Sequence, residues 1–276
     1  MDKVLKGAPT HWSGRDSIEF YSASRRTVKD LYDSEKVFLP RMLKKGMRVL
    51  DVGCAAGGFC NIMKEIEPGI LYYGCDFTEG LIRAAKKGHG QAHFVVADSV
   101  KLPFWKDSFD LVNCAGTCHM IPDCLEAIQE IYRVSRHFAI FDVRLTDRKM
   151  NSGISRCRQR LCFKDDAWDG MSESPYMILN GRSFLKQLLN LSPKPKSVYA
   201  TGYLRPPARS VMTDLDELCM VVFMIEKSDK GYNGRTEICM DIPYDYSNDR
   251  EFKDEDWLCP SRLHDRIRQK NTDDNR

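Results

Sequence analysis

The chain has 276 residues, 42% hydrophobic and 29% charged, with 42 Lys plus Arg against 39 Asp plus Glu and a net charge of +3. That length accommodates one generous domain with appendages, the composition excludes wholesale disorder, and the near-neutral balance carries no nucleic-acid or membrane footprint of its own. The opening MDKVLKGAPTHWSGRD holds no apolar run suited to a signal peptide and no later stretch is long enough to span a bilayer, so the expected address is cytoplasmic.

The segment WSGRDSIEFYSASRRTVKDLYDSEKVFLPRML mixes aromatic and basic residues ahead of the first predicted strand. Its pattern fits an amphipathic helix docked on a sheet. Between residues 47 and 143, short apolar runs alternate with segments of helical period, the pattern of a parallel sheet covered by helices. The predicted strands are MRVLDV (47–52), LYYGCD (71–76), AHFVVA (92–97), FDLVNC (109–114) and FAIFDV (138–143). Phe59, Ile62, Met63 and Ile66 recur at helical spacing after the first, and Leu125, Ile128, Ile131 and Tyr132 after the fourth.

From about residue 144 the alternation stops, and a polar, Arg-rich insertion (144–195) leads through WDGMSESPY to a short helix over Ser183–Leu191. KSVYATGY (196–203) and ELCMVVFMIE (217–226) are joined by too short a connection for a crossover helix, which predicts an antiparallel pair. Residues 227–276 read as a polar, surface-attached extension whose DDNR end is disordered. The expected organisation is a helical segment over 1–45, the main domain over 46–226 and the extension. Eleven cysteines, odd in number and partly set in strand patterns, read as reduced thiols. Cys114, Cys118, His119 and Cys124 match no common zinc spacing and are read as core, with no metal expected.

VLDVGCAAGGF (49–59) runs a buried strand into a small-residue turn, with Asp51 near the strand's end. Such a turn lets a ligand approach the backbone. A dinucleotide site would want a glycine where Ala55 stands, and a triphosphate site would want a Lys and Ser/Thr that are absent after Gly58, so phosphate recognition is disfavoured. Asp51 and Asp76 end adjacent strands on either side of this turn. Their alternative is a helix cap or turn carboxylate.

Several motifs in order over residues 35–145 resemble the class I S-adenosylmethionine-dependent methyltransferases, particularly the small-molecule "methyltransferase type 11" group. The resemblance implies a three-layer, Rossmann-like α/β sandwich with a seven-stranded, mostly parallel sheet ending in an antiparallel hairpin. It implies that Gly53, Cys54 and Ala55 face the methionine part of the cofactor and that Asp51 helps hold its ammonium. GCDFTEGLIRAAK (74–86) resembles the second motif, with Asp76 accepting both ribose hydroxyls and Phe77 packing on adenine. FVVADSVKLPFWKDSFDLV (94–112) resembles the third, with Asp98 and Ser99 serving adenine. CAGTCHMIPD (114–123) resembles the segment after strand four, where Cys114 and Ala115 would offer backbone to the cofactor's amino group and His119 would be a general base. A second His, frequent in the family, is replaced here by Met120.

In such a family the amino-terminal segment forms a lid, which makes Tyr21, Arg25 and Tyr32 candidate contacts to substrate or to the methionine carboxylate. Asp142 and Arg144 would line the substrate mouth. The implied reaction is methyl transfer to an oxygen or nitrogen of a small metabolite such as a sugar, lipid precursor or specialised product. The rivals are an RNA methyltransferase, disfavoured by scattered basic residues and the missing Asn/Asp-Pro-Pro-aromatic signature, and a non-catalytic S-adenosylmethionine-binding protein.

Overall fold

A computed structural model describes residues 12, 14–163, 168–229 and 232–273, with the side chains of 270–273 excepted. The predicted alternation is present as β1 (Arg48–Val52), α3 (Gly58–Ile66), β2 (Leu71–Asp76), α4 (Glu79–Gly88), β3 (His93–Val96), β4 (Phe109–Cys114), α5 (Cys124–Val134) and β5 (Ser135–Thr146). Ahead of it lie α1 (Arg15–Ala23) and α2 (Asp33–Met42). After it come β6 (Ile154–Arg160), β7 (Glu173–Asn180), α6 (Gly181–Leu189), β8 (Pro195–Arg205), β9 (Val211–Met212), β10 (Leu218–Lys227), β11 (Glu237–Asp241), β12 (Asp256–Trp257) and α7 (Leu263–Asp273).

The main strand order is β12-β11-β8-β10-β5-β4-β1-β2-β3. β1 through β5 pair in parallel, and β10 inserts antiparallel between β5 and β8, as the pair of late strands predicted. β1, β4 and β5 are apolar on both faces because each face is covered. Leu50, Val112 and Phe141 pack with Ile128, Ile131 and Phe184 in one layer, while their neighbours Val49, Leu111 and Ile140 pack with Phe38, Ile62, Met63 and Ile82 in the other. The period-2 alternation thus feeds two helical layers at once.

The expected count of seven strands is too small: among the described residues the sheet has twelve. Two segments supply the excess. The insertion folds β6 and β7 into an antiparallel hairpin attached to the end of β5 through Leu145 and Leu179. Its outward-facing arginines on β6 made the stretch read as an irregular polar loop. The segment after β10 adds β11 and β12 beside β8 and buries Ile238, Cys239, Phe252, Leu263 and Ile267, so it is an integral layer rather than a polar appendage. Residues 274–276 of the expected disordered end, and residues 1–11 and 13 of the amino-terminal segment, lie outside the described residues.

One buried cation ties the layers together. Lys227 Nζ donates to the carbonyls of Tyr132, Arg133 and Ser135 at 2.8, 3.0 and 2.8 Å and pairs with Asp107 at 2.7 Å. It thereby satisfies carbonyls at the carboxyl end of α5, where a positive charge is also favoured by the helix dipole.

Candidate active site

The carboxyl ends of the parallel strands open into one cavity of about 1160 Å³. Its floor is the turn between β1 and α3, where Gly53, Ala55 and Gly57 have φ of 75°, 47° and 85°. Gly53 has a second constraint, since a β-carbon there would fall onto the Thr117 side chain. At Gly58 a β-carbon would come within 2.5 Å of the Arg25 carbonyl, so the absent side chain lets the amino-terminal segment cross directly over the turn. The bare backbone at 53–58 therefore serves close approach from both sides.

Asp76 fastens this turn to the end of β2. Its Oδ2 accepts from the Ala55 amide at 3.1 Å and its Oδ1 from the Thr78 amide at 2.8 Å. Burial pushes its carboxyl up, against the pull of these donors. Gly53, Cys54, Ala55, Asp76 and Phe77 share this end of the cavity with Asp98, Ser99 and Ala115. Asp98 is exposed and caps its own turn through the Val100 amide at 3.1 Å.

Asp51, which the motif implies helps hold the cofactor's ammonium, is set beneath the cavity floor. It is 2% exposed and does not line the cavity; its two oxygens accept from Tyr72 Oη at 2.6 Å and Asn113 Nδ2 at 2.9 Å. Burial raises its carboxyl to about 6 despite those donors. Cys114 likewise stays in the core with its Sγ 3.5 Å from that of Cys118, leaving Ala115 to present backbone. Because Cys114 ends β4 with its side chain directed into the helix-covered layer, only the residue after it reaches the opening.

The opposite wall is built from the amino-terminal segment, from the segment after β4 and from the hairpin. Tyr21, Arg25 and Tyr32 all line the cavity. Arg25 pairs with Glu35 of α2 and its guanidinium sits 4.7 Å from the ring centres of both Tyr32 and Phe59. Its Nε is buried without a hydrogen-bond partner. His119, in the 3-10 turn Cys118–Met120, lines the cavity beside Arg144.

Asp142 does not line the cavity, contrary to expectation; it acts from behind the wall. Residues 142 and 144 share one face of β5, so Asp142 Oδ2 accepts from Arg144 Nη1 at 2.6 Å while Oδ1 accepts from the Gly116 amide at 2.5 Å. Burial would push the Asp142 carboxyl up, but Arg144, His119 and the Gly116 amide together hold it below the usual range. Arg144 Nε also donates to Tyr176 Oη at 3.2 Å. Tyr176 of β7 and Thr117 are cavity residues that the sequence reading missed. Tyr176 sits in WDGMSESPY, where only the alternation of β7, had it been recognised, would have aimed it inward.

Residues 43–173 match the family model described as a methyltransferase domain. Over 91 residues the chain is 36% identical to demethylmenaquinone methyltransferase of Roseiflexus sp. (strain RS-1), covering 32% of this chain and 38% of that protein. Over 145 residues it is 37% identical to cycloartenol-C-24-methyltransferase 1 of Oryza sativa subsp. japonica, covering 46% of this chain and 41% of that one. The chain thus spans about two fifths of the length of these curated relatives. The fold is similar to that of Haemonchus contortus phosphoethanolamine N-methyltransferase 2 in complex with phosphomonomethylethanolamine and S-adenosylhomocysteine, with a TM-score of 0.54 at 15% identity, covering 80% of this chain and 60% of that one.

Proposed function

We propose that this chain, a class I S-adenosylmethionine-dependent methyltransferase by its residues 43–173, methylates an oxygen or nitrogen of a small molecule bound under the lid. The observation that carries the reading is Asp76: a carboxylate at the end of the second strand, fixed by the amide of the positive-φ turn and facing the cavity beside Phe77. The residues present fit the cofactor. Gly53, Cys54, Ala55 and Gly58 line the cavity along the turn, Asp76 offers acceptor oxygens for paired hydroxyls, and Arg25 has an unused buried Nε for a carboxylate.

S-adenosylmethionine, when bound, supplies an electrophilic methyl group on a sulfonium. The work left to the chain is alignment, exclusion of water and removal of one proton from the acceptor. An acceptor that took this methyl on its lone pair would have one proton to give up to the residues around it, the cofactor leaving as the thioether. The reading assigns that proton to His119, held neutral by its burial, with Asp142 keeping Arg144 and the Gly116 turn in place. It assigns residues up to 45 to the lid, 46–226 to the transferase domain and 227–276 to its buttress.

Titration calorimetry with S-adenosylhomocysteine tests the reading. Binding in the micromolar range is expected, weakened in Asp76→Ala by about 1.5–3 kcal/mol for each charge-assisted hydrogen bond lost. No heat with S-adenosylhomocysteine, or tight binding of a nicotinamide cofactor instead, would end it.

A further inference from the structure

The carboxyl edge of the sheet continues beyond the cofactor end of the cavity. β5 and β8 are both antiparallel to β10, so they run in the same direction, and Arg205 at the end of β8 stands on that edge opposite Leu218. The connection that follows is pinned to β6, with the Arg160 amide donating to the Ser210 carbonyl at 2.9 Å and Gln159 paired with Val211. This places Arg209, next to Ser210, near Arg160. Arg160, Arg205 and Arg209 all line the cavity.

Their neighbours show what distinguishes them. Arg144 pairs with Asp142, Arg148 with Asp214 and Arg158 with Glu173, at 2.6, 2.6 and 2.5 Å. Among the described residues no carboxylate pairs with Arg160, Arg205 or Arg209; the Arg160 guanidinium lies over the Trp168 ring, 4.6 Å from its centre. The cavity's own carboxylates, Asp76, Asp98 and Asp123, come from the ends of β2 and β3 and the start of α5. Three guanidinium groups at one mouth, with no carboxylate paired to them among the described residues, favour an anion, and their planar forks suit a carboxylate or phosphate.

Close to this basic rim is an aromatic wall. Phe163, three residues after Arg160, makes edge contacts with Trp12, Phe20 and Tyr21 of the lid at ring distances of 5.7, 5.9 and 6.1 Å. Phe20 nonetheless remains 43% exposed, and Trp12, Phe20, Tyr21 and Phe163 all line the cavity. Apolar faces of this kind hold a flat or ring-shaped apolar body.

Resting on the methyltransferase reading above, we propose that the acceptor is an amphiphilic small molecule: an apolar ring body held by the lid aromatics and Phe163, with a carboxylate or phosphate held by Arg160, Arg205 and Arg209. The anion then fixes which end of the acceptor enters first, directing its nucleophilic oxygen or nitrogen toward His119.

The test is calorimetry on the full chain saturated with S-adenosylhomocysteine, using 2-naphthoate, 2-naphthyl phosphate and the uncharged methyl 2-naphthoate as probes. At least one anion should bind about tenfold more tightly than the ester, the value of roughly one charge-assisted contact, and the better anion identifies the headgroup. Arg205→Gln with Arg209→Gln should abolish that preference while leaving S-adenosylhomocysteine affinity unchanged, which also reports that the variant is folded. Equal binding of the ester, no binding of any probe, or an undiminished preference in the double variant overturns the proposal. If the wild-type chain binds no S-adenosylhomocysteine, the parent reading fails and takes this one with it; normal cofactor binding with no anion preference removes this one alone.

Discussion

His119 packs edge-on against Tyr176, ring centroids 5.0 Å apart, and its Nδ1 is buried without a hydrogen-bond partner. Burial, then the nearby Arg144 charge, lower its pKa to about 3, with Asp142 opposing them. The imidazole is therefore neutral across the physiological range and available as an acceptor. The pH–rate profile should show no acid limb near 6.5, the ordinary histidine value. His119→Ala should lower turnover by about 10² or more if the ring takes the acceptor's proton, with cofactor affinity nearly unchanged. An acid limb at the ordinary histidine value in the wild type would contradict this placement.

The same residue makes folding sensitive to acid. Between about pH 6.5, the unfolded value, and the depressed folded value, the unfolded chain binds a proton at this position that the folded chain does not. Stability should fall as pH drops through that interval. His119→Phe should flatten this part of a urea-midpoint curve.

Asp142 contributes in a lower window. Its folded pKa lies below the usual value, so its stabilisation is complete above about pH 4, the unfolded carboxylate value, and is lost as pH falls through the folded value. Asp142→Ala strands Arg144 and frees the Gly116 amide, and should cost about 3–5 kcal/mol, as removal of one partner from a buried pair does. Urea denaturation at pH 7 and below pH 4 would show the difference between variant and wild type shrinking in acid.

Asp51 works in the opposite direction. A folded pKa raised by burial to about 6 means that at neutral pH the folded state holds a charge it would rather lose. Stability from this group is greatest below the unfolded value near 4 and declines as pH rises through about 6. Asp51→Asn keeps acceptance from Asn113 at its oxygen and turns the Tyr72 contact round, its amide nitrogen donating to Tyr72 Oη, and should stabilise the ligand-free chain at pH 7.5 by about 1–3 kcal/mol. Thermal melts at pH 4 and pH 7.5 measure it; a variant less stable at both would show that the carboxylate is compensated.

Lys227 is a structural cation. Lys227→Met removes four acceptor contacts and leaves the carbonyls at the end of α5 without that donor, so a loss of about 2–4 kcal/mol is expected. Cofactor affinity should not change, because Lys227 lies at the opposite end of β10 from the cavity residues Leu218 and Met220.

The parallel half of the fold was legible because Val49, Leu50, Leu111, Val112, Ile140 and Phe141 supply both core layers in unbroken apolar runs. The turn at Gly53–Gly58 was legible too, since few other demands produce that density of small residues after a strand. What sequence could not reveal is depth. Asp51 and Asp76 look equivalent in one dimension, yet one accepts from Tyr72 and Asn113 below the floor and the other reaches the cavity. β6 escaped notice because its inward positions are only partly buried and Arg156, Arg158 and Arg160 alternate with them as exposed residues. Tyr176 and Arg205 join the site through strand pairings that span long stretches of chain, which local pattern does not encode.

Leu263 and Ile267 of α7 pack in the same layer as Phe38 and Leu39 of α2, and α2 carries Glu35, the partner of Arg25. The segment carrying Arg25 is thus anchored to a helix on which α7 packs. Opening of the chain's final segment would release α2, free Glu35 and unseat the guanidinium sandwiched between Tyr32 and Phe59. Amide protons of the lid and of β11 should consequently exchange with a shared opening free energy, as one cooperative unit. Such an opening would couple the mouth of the cavity to a strand and a helix that do not line it.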